Sequence, residues 1–267
     1  MLGRDVVAAA GVAGHDVAAL ARADLDITDA VAVRAAMRAA RPDAVINCAA
    51  WTDVDGAEAD EDAATAVNGA GAGHVAEFAP RVIHVSSDYV FDGLADAPYT
   101  EGARTSPRSA YGRSKLAGEI AVARAAAGRS AIVRSSWLFG PHGRNFVDTM
   151  RRLGSERDEL AVVDDQVGCP TYTGHLASAL VTIAEQRLTG VMHVAGTGRC
   201  SWLELARATF EEAGLSPRVR PQSTAELNRP AARPAFSALT STRAAVPVLP
   251  PWREGLRAHF ARVEVAA

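Results

Sequence analysis

Apolar residues run along this chain in two alternating rhythms. Short unbroken apolar runs predict strands: "HDVAAL" (15–20), "DAVINCAA" (43–50), "RVIHVSS" (81–87), "SAIVRSS" (130–136), "LAVVDDQ" (160–166) and "GVMHVAG" (190–196). Between them lie stretches with helical spacing. "MLGRDVVAAAGVA" (1–13) is closed by Gly14, and "ITDAVAVRAAMRAARP" (27–42) is capped by Thr28 or Asp29 and stopped by Pro42. "ADEDAATAVNGAGAGHVAEFA" (59–79) reads as a long helix that its glycines weaken in the middle. "SAYGRSKLAGEIAVARAAA" (109–127), "NFVDTMRRLGSE" (145–156), "TGHLASALVTIAEQ" (173–186) and "SWLELARATFEEAG" (201–214) complete the set, the last with Ser201 and Glu204 spaced as a capping box. Pro217 to Pro251 is rich in Pro and Arg and reads as loop.

Continuous apolar strands separated by helices are the pattern of parallel strands covered on both faces. The predicted fold is α/β, a Rossmann-like doubly wound parallel sheet with a smaller C-terminal lobe. Residues 1–140 form the sheet domain, and 141–267 mainly the lobe, partly interleaved with the sheet. The beginning departs from the usual order, because a helix precedes the first strand.

Composition narrows the function classes. The 267 residues carry a formal net charge of -3 with no dense basic run, which argues against a nucleic-acid surface. Cys48, Cys169 and Cys200 are scattered and form no CxxC pair, so neither a zinc site nor a disulfide framework is expected, and a cytoplasmic setting fits. No signal-peptide pattern and no membrane-spanning apolar run is present.

Ligands of open parallel sheets bind beyond the carboxyl ends of the strands. Three predicted strands end there in small or polar residues, giving "CAAWTDVD", "SSDYVFDG" and "SSWLFG". The sharper signal is "YGRSK", which places Tyr111 and Lys115 four apart on one helix face. By itself the spacing also fits a tyrosine packed on a lysine stem. Following a strand that ends in "SSD", it groups a Ser hydroxyl, a phenol and an ammonium, a set suited to hydride transfer at a carbonyl. The ammonium is expected to lower the phenol's pKa.

Ser87, Tyr111 and Lys115 match the Ser/Thr–Tyr–Lys set of the extended short-chain dehydrogenases/reductases. "NCAAWTDVDGAE", "VIHVSSDYVFDG", "YGRSKLAGE", "RSSWLFG", "RNFVDTM", "VVDDQVGCPTYTGHLA" and "RPAFSAL" together resemble the dTDP-4-dehydrorhamnose reductase family, in order along almost the whole chain. The resemblance implies reduction of the 4-keto group of dTDP-4-dehydro-6-deoxy-L-mannose to dTDP-L-rhamnose. Its alternatives are a reductase of another dTDP-4-keto-deoxysugar and a non-catalytic, cofactor-binding regulatory relative.

It implies Tyr111 as proton donor, Lys115 lowering its pKa and holding the nicotinamide ribose, and Ser87 bonding the substrate carbonyl. Asp88, Trp137 and Asn145 would reach the nucleotide sugar, with core packing and a helix cap as the competing roles of Trp137 and Asn145. Leu2 and Gly3, Ala49, Ala50 and Trp51 would line the dinucleotide, and Asp26 and Ile27 would flank its adenine. Arg22 stands where an acidic residue favours NAD, so NADPH is the expected cofactor, with NADH as second choice. No metal is implied, and the chain is expected as a monomer or homodimer.

Two departures stand out. Ala232 replaces an Arg common in the family, which removes a phosphate or subunit contact. Only "MLG" corresponds to the family's opening strand and GxxGxxG loop, Gly3 matching the third glycine. The expectation is a chain whose first strand is missing, through a late start codon ahead of natural truncation or deliberate shortening, and which as written is poorly stable or inactive.

Overall fold

A computed structural model describes residues 1–265. The elements follow in the order α1 (Leu2–Val12), α2 (Ala30–Ala40), β1 (Val45–Asn47), α3 (Val54–Ala59), α4 (Glu61–Thr65), a π-helical turn (Ala66–Gly71) and α5 (Ala72–Phe78). Then come β2 (Val82–Ser87), α6 (Ala110–Ala125), β3 (Ser130–Ser135), β4 (Leu138–Phe139), α7 (Phe146–Glu156), β5 (Glu159–Val163), β6 (Val167–Gly168) and β7 (Thr171–Tyr172). The chain closes with α8 (Thr173–Glu185), β8 (Gly190–His193), β9 (Cys200–Ser201), α9 (Trp202–Glu212), β10 (Arg218–Gln222), α10 (Thr224–Leu227) and α11 (Trp252–Val265).

The main sheet is parallel, in the order β1-β2-β3-β8. Alternate residues of each strand feed opposite layers, as the pleat requires. Ile83, Ala131 and Val133 pack with Leu2 and Val6 of α1 and with Leu176, Leu180 and Ile183 of α8. Val82 and Ile132 face the other way, onto Val33 of α2, Val75 and Ala76 of α5, and Val122 of α6. The sheet is therefore wound on both faces. After the lobe begins, α8 and β8 return to this sheet, β8 pairing with β3.

"HDVAAL" is not a strand. Residues 15–20 lie in irregular, mostly exposed chain. Their apolar pattern suits a strand, but a strand exists only through a partner's N–H and C=O groups. Among the described residues β1 pairs with β2 alone, and no strand lies along its other edge. That open edge also explains why β1 shrinks to three residues and why Val45 and Ile46 are only half-buried.

The lobe packs α7, α9 and α11 around Phe139, Val147, Leu205, Leu256 and Phe260. The capping box of Ser201 and Glu204 forms as read, with both reciprocal bonds present. The 217–251 stretch is more structured than expected. β10 pairs in parallel with β5, and Ser223 caps α10. Tyr99 then exchanges backbone bonds with Ala238 and Thr240, tying this stretch to the β2–α6 connection. α11 was not foreseen; its apolar positions Trp252, Leu256 and Phe260 recur at helical spacing. No helix among the described residues is long and apolar enough to cross a membrane.

Candidate active site

The carboxyl end of β2 sets the site. Ser87 ends the strand and its Oγ accepts a bond from Tyr89 N at 3.2 Å, capping the short turn of Asp88 to Val90. The same hydroxyl donates to Asp88 Oδ1 at 3.0 Å. α6 begins beside it, capped by Ser109, whose Oγ accepts from Gly112 N. Gly112, the second residue of "YGRSK", has a steric reason. A Cβ there would lie 2.3 Å from the Tyr89 carbonyl oxygen, so only glycine lets α6 approach this closely. The approach brings Tyr111 onto Tyr89, rings edge to face at 5.4 Å, and sets the phenol beside the Ser87 hydroxyl.

Lys115 is buried, and its Nζ donates to the Val85 carbonyl at 2.8 Å. Burial lowers its pKa to about 8 against the pull of Glu119 one turn along. The expected lowering of the Tyr111 pKa by Lys115 is not what this structure shows. Burial pushes the phenol up to about 12, the nearby Ser87 hydroxyl acting against this and the Asp88 charge adding to it. The ammonium is spent on the Val85 carbonyl, so desolvation dominates at the phenol.

Asp88 is buried and its pKa is raised to about 6, chiefly by desolvation, with Ser237 and Ser87 holding it down. Asp88 Oδ2 and Ser237 Oγ nonetheless lack a hydrogen bond of regular geometry. A folded pKa near 6, above the ordinary 3.8, means that the ionised form costs stability. The cost is absent below pH 3.8 and grows as pH rises through 6. Asp88→Asn is therefore expected to raise Tm at pH 7.5 and to leave it unchanged near pH 3.5. Thermal unfolding of both proteins at both pH values checks this, and an equal shift at the two would refute it.

The cofactor side assembles partly. β1 ends at Asn47, whose Oδ1 accepts from Ala49 N and thereby fixes the turn into Ala49, Ala50 and Trp51. Trp51 and Tyr111 pack on the same small cluster of Ala57, Ala64 and Ala110. Gly3 lies against Cys48, a Cβ built on it falling 3.8 Å from the Cys48 Cβ, and Cys48 in turn lies near Lys115. The N-terminus of α1 has no side-chain cap, so its first amides are open to an anion. These features fit a dinucleotide diphosphate on α1 with a ribose towards Lys115. Leu2 serves differently from the expectation, because its side chain belongs to the core beneath the sheet.

Other expected residues sit elsewhere. Ile27 is a core residue packed against Gly71, and Asp26 bonds Thr28 through the residue's N–H and hydroxyl. The Ile27 side chain is not free to flank an adenine, whereas Asp26 is exposed and uses only Oδ1 in these bonds. Arg22 is exposed, near Asp26, and makes no hydrogen bond among the described residues. Asn145 is a helix cap rather than a substrate contact. Its Oδ1 accepts from Asp148 N, and its Nδ2 donates to the Gly140 and Gly143 carbonyls and to Asp148 Oδ2. Trp137 is half-buried just beyond β3. Near Ala232, Arg229 and Arg233 both pair with Asp55.

Sequence reading missed Asn68. It is buried in the π-helical turn, accepts from Trp51 N at 2.8 Å, and donates to Trp51 O and to Ser114 Oγ. Ser114 in turn donates to the Tyr111 carbonyl. This clip joins the cofactor-side loop to the helix carrying Tyr111. Its signal was present as a polar residue beside the glycines that seemed only to weaken a helix; π turns recur at functional sites.

The family described as RmlD substrate binding domain matches residues 1–265. A dTDP-4-dehydrorhamnose reductase of Mycobacterium tuberculosis is 46% identical over 274 residues, covering 97% of this chain and 89% of the relative. A dTDP-4-keto-6-deoxy-D-glucose reductase of Streptomyces niveus is 45% identical over 244 residues, covering 90% and 85%. The crystal structure of a dTDP-4-dehydrorhamnose reductase from Bacillus anthracis in complex with NADP superposes with a TM-score of 0.94 at 37% identity, covering 98% of this chain and 95% of that one.

Proposed function

The chain belongs to the RmlD substrate binding domain family, and from that premise we propose that it reduces the 4-keto group of dTDP-4-dehydrorhamnose with NADPH, giving dTDP-L-rhamnose. The observation that carries this reading is the junction of β2 and α6. It sets the Ser87 hydroxyl against a protonated Tyr111 phenol, with buried Lys115 one turn along the same helix.

NADPH, when bound, supplies the hydride. The chain's own groups do the rest. The Tyr111 hydroxyl is the donor for the substrate's C4 oxygen, and the Ser87 hydroxyl becomes a second donor by turning its one proton from Asp88 to that oxygen. With a pKa of about 12, Tyr111 carries its proton at neutral pH, as reduction requires. As negative charge develops on the C4 oxygen, Tyr111 delivers that proton and the C4 hydroxyl forms. Lys115, fixed by the Val85 carbonyl, would hold the nicotinamide ribose. Asp88 accepts the Ser87 proton until that turn. Trp137 bounds the sugar side. The three cysteines are unpaired, in keeping with a cytoplasmic setting.

The test is turnover of a panel of dTDP-4-keto sugars with NADPH and NADH, products identified by NMR. Dominant conversion of dTDP-4-dehydrorhamnose supports the reading. The Streptomyces niveus relative keeps a second reading in play, a different dTDP-4-keto-6-deoxysugar, and the same panel separates the two. NADPH is expected to have the higher kcat/KM. Arg22→Ala should narrow that preference by on the order of tenfold, the scale of a lost charge-assisted hydrogen bond to the 2′-phosphate. Equal or better kcat/KM with NADH in the unmodified protein refutes the role of Arg22.

A further inference from the structure

Trp137 adopts φ 50°, a left-handed conformation that a bulky aromatic residue rarely takes. Outliers of this kind persist only where the surroundings over-determine them. The surroundings here are unusually specific. The Trp137 indole stacks on that of Trp202 with centroids 3.5 Å apart and planes 3° from parallel. Gly168 closes on Trp137 as well, since a Cβ there would lie 2.4 Å from Trp137 Cε2. Trp202 is itself anchored. Its Nε1 donates to Gln166 Oε1 at 3.0 Å, and buried Gln166 donates to Thr224 Oγ1 at 2.8 Å. Phe146 packs on Trp202 at 4.5 Å.

The two stacked indoles differ in one respect. The N–H of Trp202 is committed within the lobe, while that of Trp137 makes no hydrogen bond among the described residues, and Trp137 is only half-buried. The sheet register places this free donor near the chemistry. Ser135 pairs with Ser87 across the β2–β3 ladder, and Trp137 stands two residues further on. Ser136 pins the segment by donating to the Cys169 carbonyl.

We infer that Trp202, anchored by Gln166, is a positioning residue for the sugar nucleotide: it fixes the plane of Trp137 so that the free indole N–H faces an oxygen of the substrate. This rests on the proposed placement of the sugar nucleotide beside Trp137. The lobe then acts on sugar recognition through a stack that touches neither Tyr111 nor the cofactor side. Releasing the stack changes substrate affinity and spares proton delivery.

The experiment measures dTDP-L-rhamnose and NADPH binding by calorimetry, Tm, and steady-state kinetics for the wild type, Trp202→Leu, Trp202→Phe, Trp137→Leu and the double leucine variant. Trp202→Leu is expected to weaken dTDP-L-rhamnose binding and raise KM by about tenfold, the scale of a mispositioned contact, with kcat and NADPH affinity within about threefold of wild type. Trp202→Phe, which keeps an aromatic face for stacking, should recover most of the loss. The double variant should bind no more weakly than Trp137→Leu alone, because both changes break one coupled unit. Wild-type affinity in Trp202→Leu overturns the inference, as do losses that add in the double variant, or a fall in kcat and NADPH affinity alongside Tm. Binding does not depend on turnover. A wild type that binds dTDP-L-rhamnose with this coupling but does not reduce the ketosugar overturns the proposed reaction and supports the stack.

Discussion

Tyr111→Phe is expected to cut kcat roughly 100- to 10,000-fold, the usual contribution of a general acid, while NADPH affinity stays within about twofold. The ring is held by the first turn of α6 and by the edge-to-face contact with Tyr89, so losing one oxygen leaves its packing in place. What disappears is the proton. Ser87 can still turn its proton from Asp88 to hydrogen-bond the C4 oxygen, yet an aliphatic hydroxyl is a weaker acid than a phenol and does not leave its proton there. The variant's Tm should match the wild type closely. Retention of more than about a tenth of the turnover would show that the proton comes from another group or from water. Because Tyr111 is lifted to about 12, its ionisation should not limit the reductive rate between pH 6 and 9.

Glu119→Ala is expected to be the most destabilising single change considered, costing about 3 to 5 kcal/mol. Glu119 and Arg134 form a bidentate pair, Nε to Oε1 at 2.8 Å and Nη2 to Oε2 at 2.6 Å, with both side chains buried. Ser86 Oγ donates to the same Oε1 at 2.6 Å. Arg134 also lies over the Phe91 ring and faces His193 Nε2 at 3.4 Å. Burial and the Arg134 charge hold the His193 pKa down, so its ring is neutral at pH 7 and cannot replace the lost carboxylate. Truncating Glu119 strands the guanidinium in the interior. Against a domain stability of about 5 to 15 kcal/mol, this is a large fraction. A fall in Tm on the order of 10 °C follows for a chain of this size. Glu119→Met combined with Arg134→Met should recover most of the loss, since neither charge then remains unpaired. A Glu119→Ala protein melting within about 2 °C of wild type would show that water or rearrangement reaches the pair.

Much of this molecule was legible along the chain. α6 could be read residue by residue: Ser109 is a good cap, the apolar positions recur at helical spacing, and Tyr111 and Lys115 must share a face. The same holds for the capping box at Ser201, for the apolar runs that became β2 and β3, and for Ser87 at a strand's carboxyl end. These are local facts, set by spacing within a few residues. The family motifs were legible for the same reason.

Where tertiary structure decided, a partner distant in sequence was needed. Residues 15–20 carry a strand's pattern but remain irregular, because a strand is a property of a pair and no partner lies beside them. Lys115 was expected to act on the phenol four residues away, but the fold gives its ammonium the Val85 carbonyl, 30 residues back, and burial then sets both pKa values. Asn145 stood between a helix cap and a substrate contact, and the cap formed, with Gly140, Gly143 and Asp148 taking its amide. Asn68 showed only as a polar residue beside helix-weakening glycines and Trp202 gave no warning, since their importance lies in Trp51, Ser114 and Trp137, which only packing brings to them. The sequence by itself determined which helices and strands could form and which reactive groups share a helix face. Only the tertiary structure decided which polar groups were left free, because hydrogen-bond capacity and solvation are settled by neighbours that folding supplies.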